Sequence, residues 1–176
     1  MGGPVKPGHD EGGSVAVRVL SCTMHPMRTA IDPAKAKDYP PNIQAILKRR
    51  APTSAWLAQQ LLEIDTETGW VKIAYDLSEA HHNRFGAIHG GTIAAVMDDV
   101  LSTAAGLQAQ WGEIAPTLEM KVSYLNQAHS GRHLAEARVM KRGRQIVFLE
   151  ATLSREDGKI IATSSSTIMI APLKKS

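Results

Sequence analysis

One run, Thr92 to Gln110, is apolar over nearly its whole length and carries only two charges, Asp98 and Asp99. It lacks proline, and Gly106 is its only glycine. A helix apolar almost all round has to be buried on most sides. Two carboxylates in its middle argue against a membrane span. No other segment promises a helix of similar length, so the rest of the chain must wrap this one.

Most of that remainder reads as strands. Val71, Ile73, Tyr75 and Leu77 alternate with Lys72, Ala74 and Asp76, and Met120, Val122 and Tyr124 alternate with Glu119, Lys121 and Ser123. A period of two marks a strand with one buried face. Leu134 to Met140, Gln145 to Leu153 and Ile160 to Ile170 follow, with turn signals at Ser130-Gly131, Arg142-Gly143 and Asp157-Gly158. Short spacing predicts antiparallel neighbours. Asn42 to Arg50 reads as a short helix, and Trp56 to Ile64 as a strand or a helical turn leading into one. One helix cannot cross over between several parallel strands. The prediction is therefore an α+β fold, an antiparallel sheet wrapped around one long central helix.

A chain of 176 residues suits one domain. Residues 1–40 are rich in glycine and proline without sustained periodicity, and are expected to be an N-terminal extension, disordered or loosely packed. Val15 to Leu20 is the one strand-like stretch there. The folded domain is expected over residues 41–173. A net charge of +3 and 5% aromatics, with no basic cluster interleaved with aromatics, give no reason to expect nucleic acid. The lone cysteine, Cys22, can form neither an internal disulfide nor a metal-binding pair, and the first thirty residues lack a long apolar run. A cytoplasmic protein that is not membrane-bound is the expectation.

The chemistry concentrates where the long helix begins. Gly90 and Gly91 open it, and glycines let another molecule approach the backbone closely. Free N–H groups at a helix start carry partial positive charge and can hold a developing oxyanion. Losing one such donor costs ~3–4 kcal/mol of barrier. Gly90 is the candidate donor. Asp98, eight residues on, is ~12 Å away along a helix axis, too far for one carbonyl to meet both. If both groups are catalytic, Asp98 must come from a second copy of the chain, which gives two equivalent sites across a two-fold axis. Asp98 shares a helix face with Ser102 and can serve as general base or as nucleophile. His81, His82 and His89 lack a confirmed carboxylate partner, so no metal is expected. Arg142 and Arg144, beside Lys141, are candidates for phosphate contacts.

Asn83, then His89-Gly90-Gly91, then Asp98 on a buried helix closely resembles the PaaI-like (phenylacetic acid degradation type) branch of hotdog-fold acyl-CoA thioesterases. The resemblance runs from about Pro52 to Ile170 and includes the strand from Thr117 to Tyr124 and the turn Arg142-Gly143-Arg144. It implies a hotdog fold and a cofactor-free hydrolase of acyl-CoA. The protein would be a homodimer or a dimer of dimers with active sites at the subunit interface. It further implies that Asn83 and His89 position the thioester and its water. Gly90, beside Gly91, would polarise the carbonyl, and Asp98 of the neighbouring subunit would be the base or nucleophile. Thr117 would orient water and Ser102 support the site. Two departures stand out: the N-terminal extension, and Asp99 beside Asp98. The motif position favours Asp98. The alternative from another class is a non-catalytic acyl-CoA binding or regulatory module on the same fold.

Overall fold

The computed structural model describes residues 28–48 and 51–173. In chain order these form β1 (Thr29–Ala30), a 3-10 turn (Pro33–Asp38), α1 (Pro41–Lys48), α2 (Pro52–Trp56), β2 (Gln59–Asp65) and β3 (Trp70–Leu77). A second 3-10 turn (Glu79–His81) leads to α3 (Gly90–Leu107). Then come β4 (Glu113–Ile114), β5 (Thr117–Tyr124), β6 (Gly131–Arg142), β7 (Ile146–Arg155), β8 (Ile160–Met169) and β9 (Ala171–Pro172). Seven strands make one sheet in the order β1-β2-β3-β6-β7-β8-β5, and every pairing in it is antiparallel. The sheet wraps α3, as the α+β reading expects.

The apolar run forms the helix, with shifted ends. It begins at Gly90 rather than Thr92 because His89, in an extended conformation, caps it: its ring accepts from the Gly91 amide. It stops at Leu107 rather than Gln110. The side-chain amide of Asn42 reaches the carbonyls of Gly106, Leu107 and Ala109 at 3.4–3.5 Å, satisfying groups that a helix end leaves open. Val96, Met97, Val100, Leu101, Ala104 and Ala105 of α3 are buried against Ile73, Tyr75, Leu149 and Leu153 of the sheet. Each valine, leucine or methionine side chain so buried contributes about 1.5–3 kcal/mol.

Between Trp56 and Ile64 the structure takes the helical turn first and the strand second. Ala58, at φ +49°, is the joint between α2 and β2. Residues 28–40 contribute β1, paired as Thr29 with Ile64, and Ile31 and Tyr39 pack against the core. The strand-like stretch at residues 15–20 and Cys22 lie outside the described residues.

The edge strand β5 holds a feature that plain alternation hides. Its register against β8 slips between Thr117 and Glu119, a β-bulge at Leu118. The bulge reverses the parity of the strand. Thr117 therefore turns towards α3 with Met120 and Val122, while Leu118 and Glu119 both stay exposed.

Candidate active site

Two polar contacts tie β5 to α3, and both fall at positions with candidate chemistry. At the start of the strand, the Thr117 hydroxyl donates to Asp98 Oδ1 at 2.8 Å. At its end, the Tyr124 hydroxyl donates to the Gly90 carbonyl at 3.0 Å.

The helix start is ordered group by group. The His89 carbonyl accepts from the amides of Thr92 at 2.9 Å and Ile93 at 3.1 Å. Its Nδ1 accepts from the Gly91 amide at 2.9 Å, so a neutral ring keeps its proton on Nε2. A side chain at residue 91 would place its Cβ 3.0 Å from that Nδ1, so glycine makes room for the cap. Among the described residues the Gly90 amide donates to nothing. A Cβ at residue 90 would meet only the Tyr124 ring, at 3.7–3.9 Å, which is ordinary contact. The one unspent donor of the helix start thus belongs to Gly90.

Asp98 and Asp99 point different ways, since successive helical residues are about 100° apart. Asp99 is surrounded by its own chain. Its Oδ1 accepts from Ser54 Oγ, and its Oδ2 from Gln59 Nε2 and Tyr75 Oη, each at 2.7 Å. Burial first, and the Asp99 carboxylate second, push the Tyr75 phenol well above its usual range, so it stays a donor. Asp99 therefore anchors α3 to α2, β2 and β3. Asp98 is half-buried, and only its Oδ1 has a partner among the described residues.

Asn83 turns its side-chain oxygen onto its own loop, accepting from the amides of Phe85 at 2.8 Å and Ala87 at 3.4 Å. His81 is buried, with Nδ1 accepting from the Ser78 amide at 3.0 Å and Nε2 facing the Trp56 carbonyl at 3.1 Å, so both ring nitrogens are engaged. His82 Nε2 lies 2.8 Å from Ser130 Oγ. Ser102 is half-buried on α3, one turn beyond Asp98. Arg142 folds onto the turn between β6 and β7, donating to the carbonyls of Gly143 and, at 3.1 Å, Arg144, and Arg144 is exposed on the same turn. Among the described residues, no group of three or more His, Cys, Asp or Glu is arranged to hold a metal, and no helix is long and apolar enough to cross a membrane. Sequence reasoning missed Tyr124 at the site and the Ser54, Gln59 and Tyr75 donors on Asp99. None is near its partner in sequence, and no local pattern links them.

Residues 85–162 match the thioesterase superfamily model. Human acyl-coenzyme A thioesterase 13 is 29% identical over 106 residues, 59% of this chain and 75% of its own length. A phenylacetic acid degradation-related protein of Ralstonia eutropha superposes with a TM-score of 0.68 at 28% identity, covering 72% of this chain and 97% of that one. The PaaI protein of Escherichia coli, at 19% identity, shares the fold with a TM-score of 0.67 over 78% of this chain and 94% of its own. Over residues 85–162 the chain is similar to the thioesterase superfamily, and it shares its hotdog fold with structural neighbours that include PaaI-type proteins.

Proposed function

We propose that the protein hydrolyses an acyl-CoA thioester to a free carboxylic acid and coenzyme A, at sites built by two copies of the chain. The observation that carries this is the pairing of an unspent amide at Gly90 with a carboxylate at Asp98 whose second oxygen is open. The two stand on one straight helix at ~12 Å, which no single carbonyl spans. Asp98 of one subunit facing Gly90 of the other removes that difficulty, and the two-fold axis supplies two such sites in a dimer or a dimer of dimers.

The chemistry then needs no cofactor. Oδ2 of Asp98 takes a proton from water while Thr117 holds Oδ1, and the resulting hydroxide attacks the thioester carbonyl. The carbonyl oxygen gains charge and is met by the Gly90 N–H, backed by the helix dipole. Collapse of the tetrahedral intermediate expels the coenzyme A thiolate, which takes the proton that Asp98 removed from water and so restores the carboxylate. His89 Nε2–H, at the mouth of the helix, is a second donor to the bound thioester, and Asn83 shapes the loop that carries it. Arg142 and Arg144 are cationic contacts for the phosphates of coenzyme A. The homologues' names point the same way, being those of thioesterases and esterases. With a single cysteine, the chain fits the reduced cytoplasm.

Free-thiol release from a panel of acyl-CoA thioesters, run on wild type beside Asp98→Asn, tests this. Turnover by wild type with a loss of at least ~100-fold in the variant supports it. Binding of acyl-CoA without any thiol release by wild type would make the protein a binding module instead.

A further inference from the structure

We infer that Tyr124 is a positioning residue for the oxyanion donor, acting through the backbone of Gly90. The inference rests on the thioesterase reading of the site.

Glycine at the helix start carries a cost in conformational freedom. Two glycines in a row give the helix start more conformational freedom than any other pair, and a donor acts best when its direction is fixed before the reaction. The peptide between Gly90 and Gly91 is held at both ends. Its carbonyl accepts from the Tyr124 hydroxyl at 3.0 Å, and its N–H donates to His89 Nδ1 at 2.9 Å. The preceding peptide is held by its carbonyl alone, which takes the Thr92 and Ile93 amides, and its N–H is the unspent donor. Tyr124 and His89 thus pin the neighbouring peptide, and the one amide of the helix start left without a partner among the described residues is that of Gly90.

Tyr124 is not a core residue that happens to reach a carbonyl. It is 52% exposed, so burial of its ring is not what places it. Its ring lies 3.7–3.9 Å from where a Gly90 side chain would begin, and so walls the open side of that glycine. The same strand carries Thr117 to Asp98. The edge strand therefore fixes both the donor and the carboxylate, each in its own subunit.

A double-mutant cycle reads this directly. Tyr124→Phe keeps the ring and removes the hydroxyl, while Gly90→Pro removes the amide that the hydroxyl is argued to direct. Tyr124→Phe alone should lower kcat for thioester hydrolysis about five- to tenfold, with KM within about twofold and an unchanged thermal midpoint. In the Gly90→Pro background the same change should have almost no further effect on residual kcat, because the donor is already gone. Equal losses in both backgrounds, or a wild-type kcat for Tyr124→Phe, overturn the inference and leave the enzyme reading intact. Absence of thiol release by wild type overturns both.

Discussion

Thr117 donates its hydroxyl to Asp98 Oδ1 at 2.8 Å, across the gap between the edge strand β5 and the central helix α3. That single bond leaves the other carboxylate oxygen without a partner among the described residues, and on the proposed mechanism this is the oxygen that meets water. Thr117→Val keeps the shape and removes the donor, and kcat is expected to fall about tenfold. Thr117→Ser should retain most of the activity. Steady-state thiol release separates the two, and equal activity of all three proteins would show that the bond has no catalytic role.

Gly90→Pro is the sharpest test of the donor. Proline suits the first position of a helix, and His89, at φ −62° and ψ 137°, already has the extended conformation that a following proline requires. The helix should therefore survive, with a thermal midpoint near that of wild type. Activity should fall by ~100- to 1,000-fold, the usual cost of removing an oxyanion donor.

A shared site makes a further demand. On the proposed mechanism Gly90→Pro and Asp98→Asn proteins should each keep at most about 1% of wild-type activity, while a hybrid dimer holds one site with both wild-type groups. Unfolding and refolding an equal mixture should restore roughly a quarter of wild-type activity, since half the dimers are hybrids with one good site of two. No recovery above the separate variants, in a mixture shown to contain hybrids, would mean that the two groups do not work across subunits.

Tyr75 makes stability sensitive to alkali. Burial and Asp99 raise its pKa in the folded protein, so as pH climbs past ~10 the unfolded chain loses this proton and the folded one keeps it. The folded state then binds more protons, and stability drops as pH rises. Urea unfolding between pH 8 and 11 should show this loss, with a shallower slope in Tyr75→Phe. The same variant should be less stable at pH 8 by about 1–3 kcal/mol, since Asp99 loses one of its three donors.

His133 acts in the opposite pH range. It is 2% exposed, its Nε2 has no partner among the described residues, and burial holds its pKa below the usual value. As pH falls through ~6.5 the unfolded chain gains a proton there that the folded one resists, so stability falls with pH until the lowered pKa is passed. His133→Leu should flatten the unfolding free energy between pH 7.5 and 5 relative to wild type. Parallel slopes would assign the acid sensitivity to other groups.

The scheme of the fold was legible in the residue pattern. The apolar run around Asp98 could only be a buried helix, and the period-two stretches from Val71 and Met120 could only sit as half-buried strands around it. These are local signals, set by how often a side chain returns to one face, so they survive without knowledge of partners. The residue pattern also marked Gly90 and Asp98 and, from helix rise alone, the need for a second chain if both are to act. Which groups meet depends on packing. Strict alternation places Thr117 on the face of Glu119, away from the helix, and only the bulge at Leu118 turns it to Asp98. Only the packing of α2, β2 and β3 engages Asp99 and so separates it from its neighbour Asp98. Tyr124 and Gly90 are 34 residues apart and meet because the edge strand lies along the helix. Such contacts depend on register and on which strand ends up beside which, and a hydrogen bond made at a distance along the chain leaves no period in the sequence.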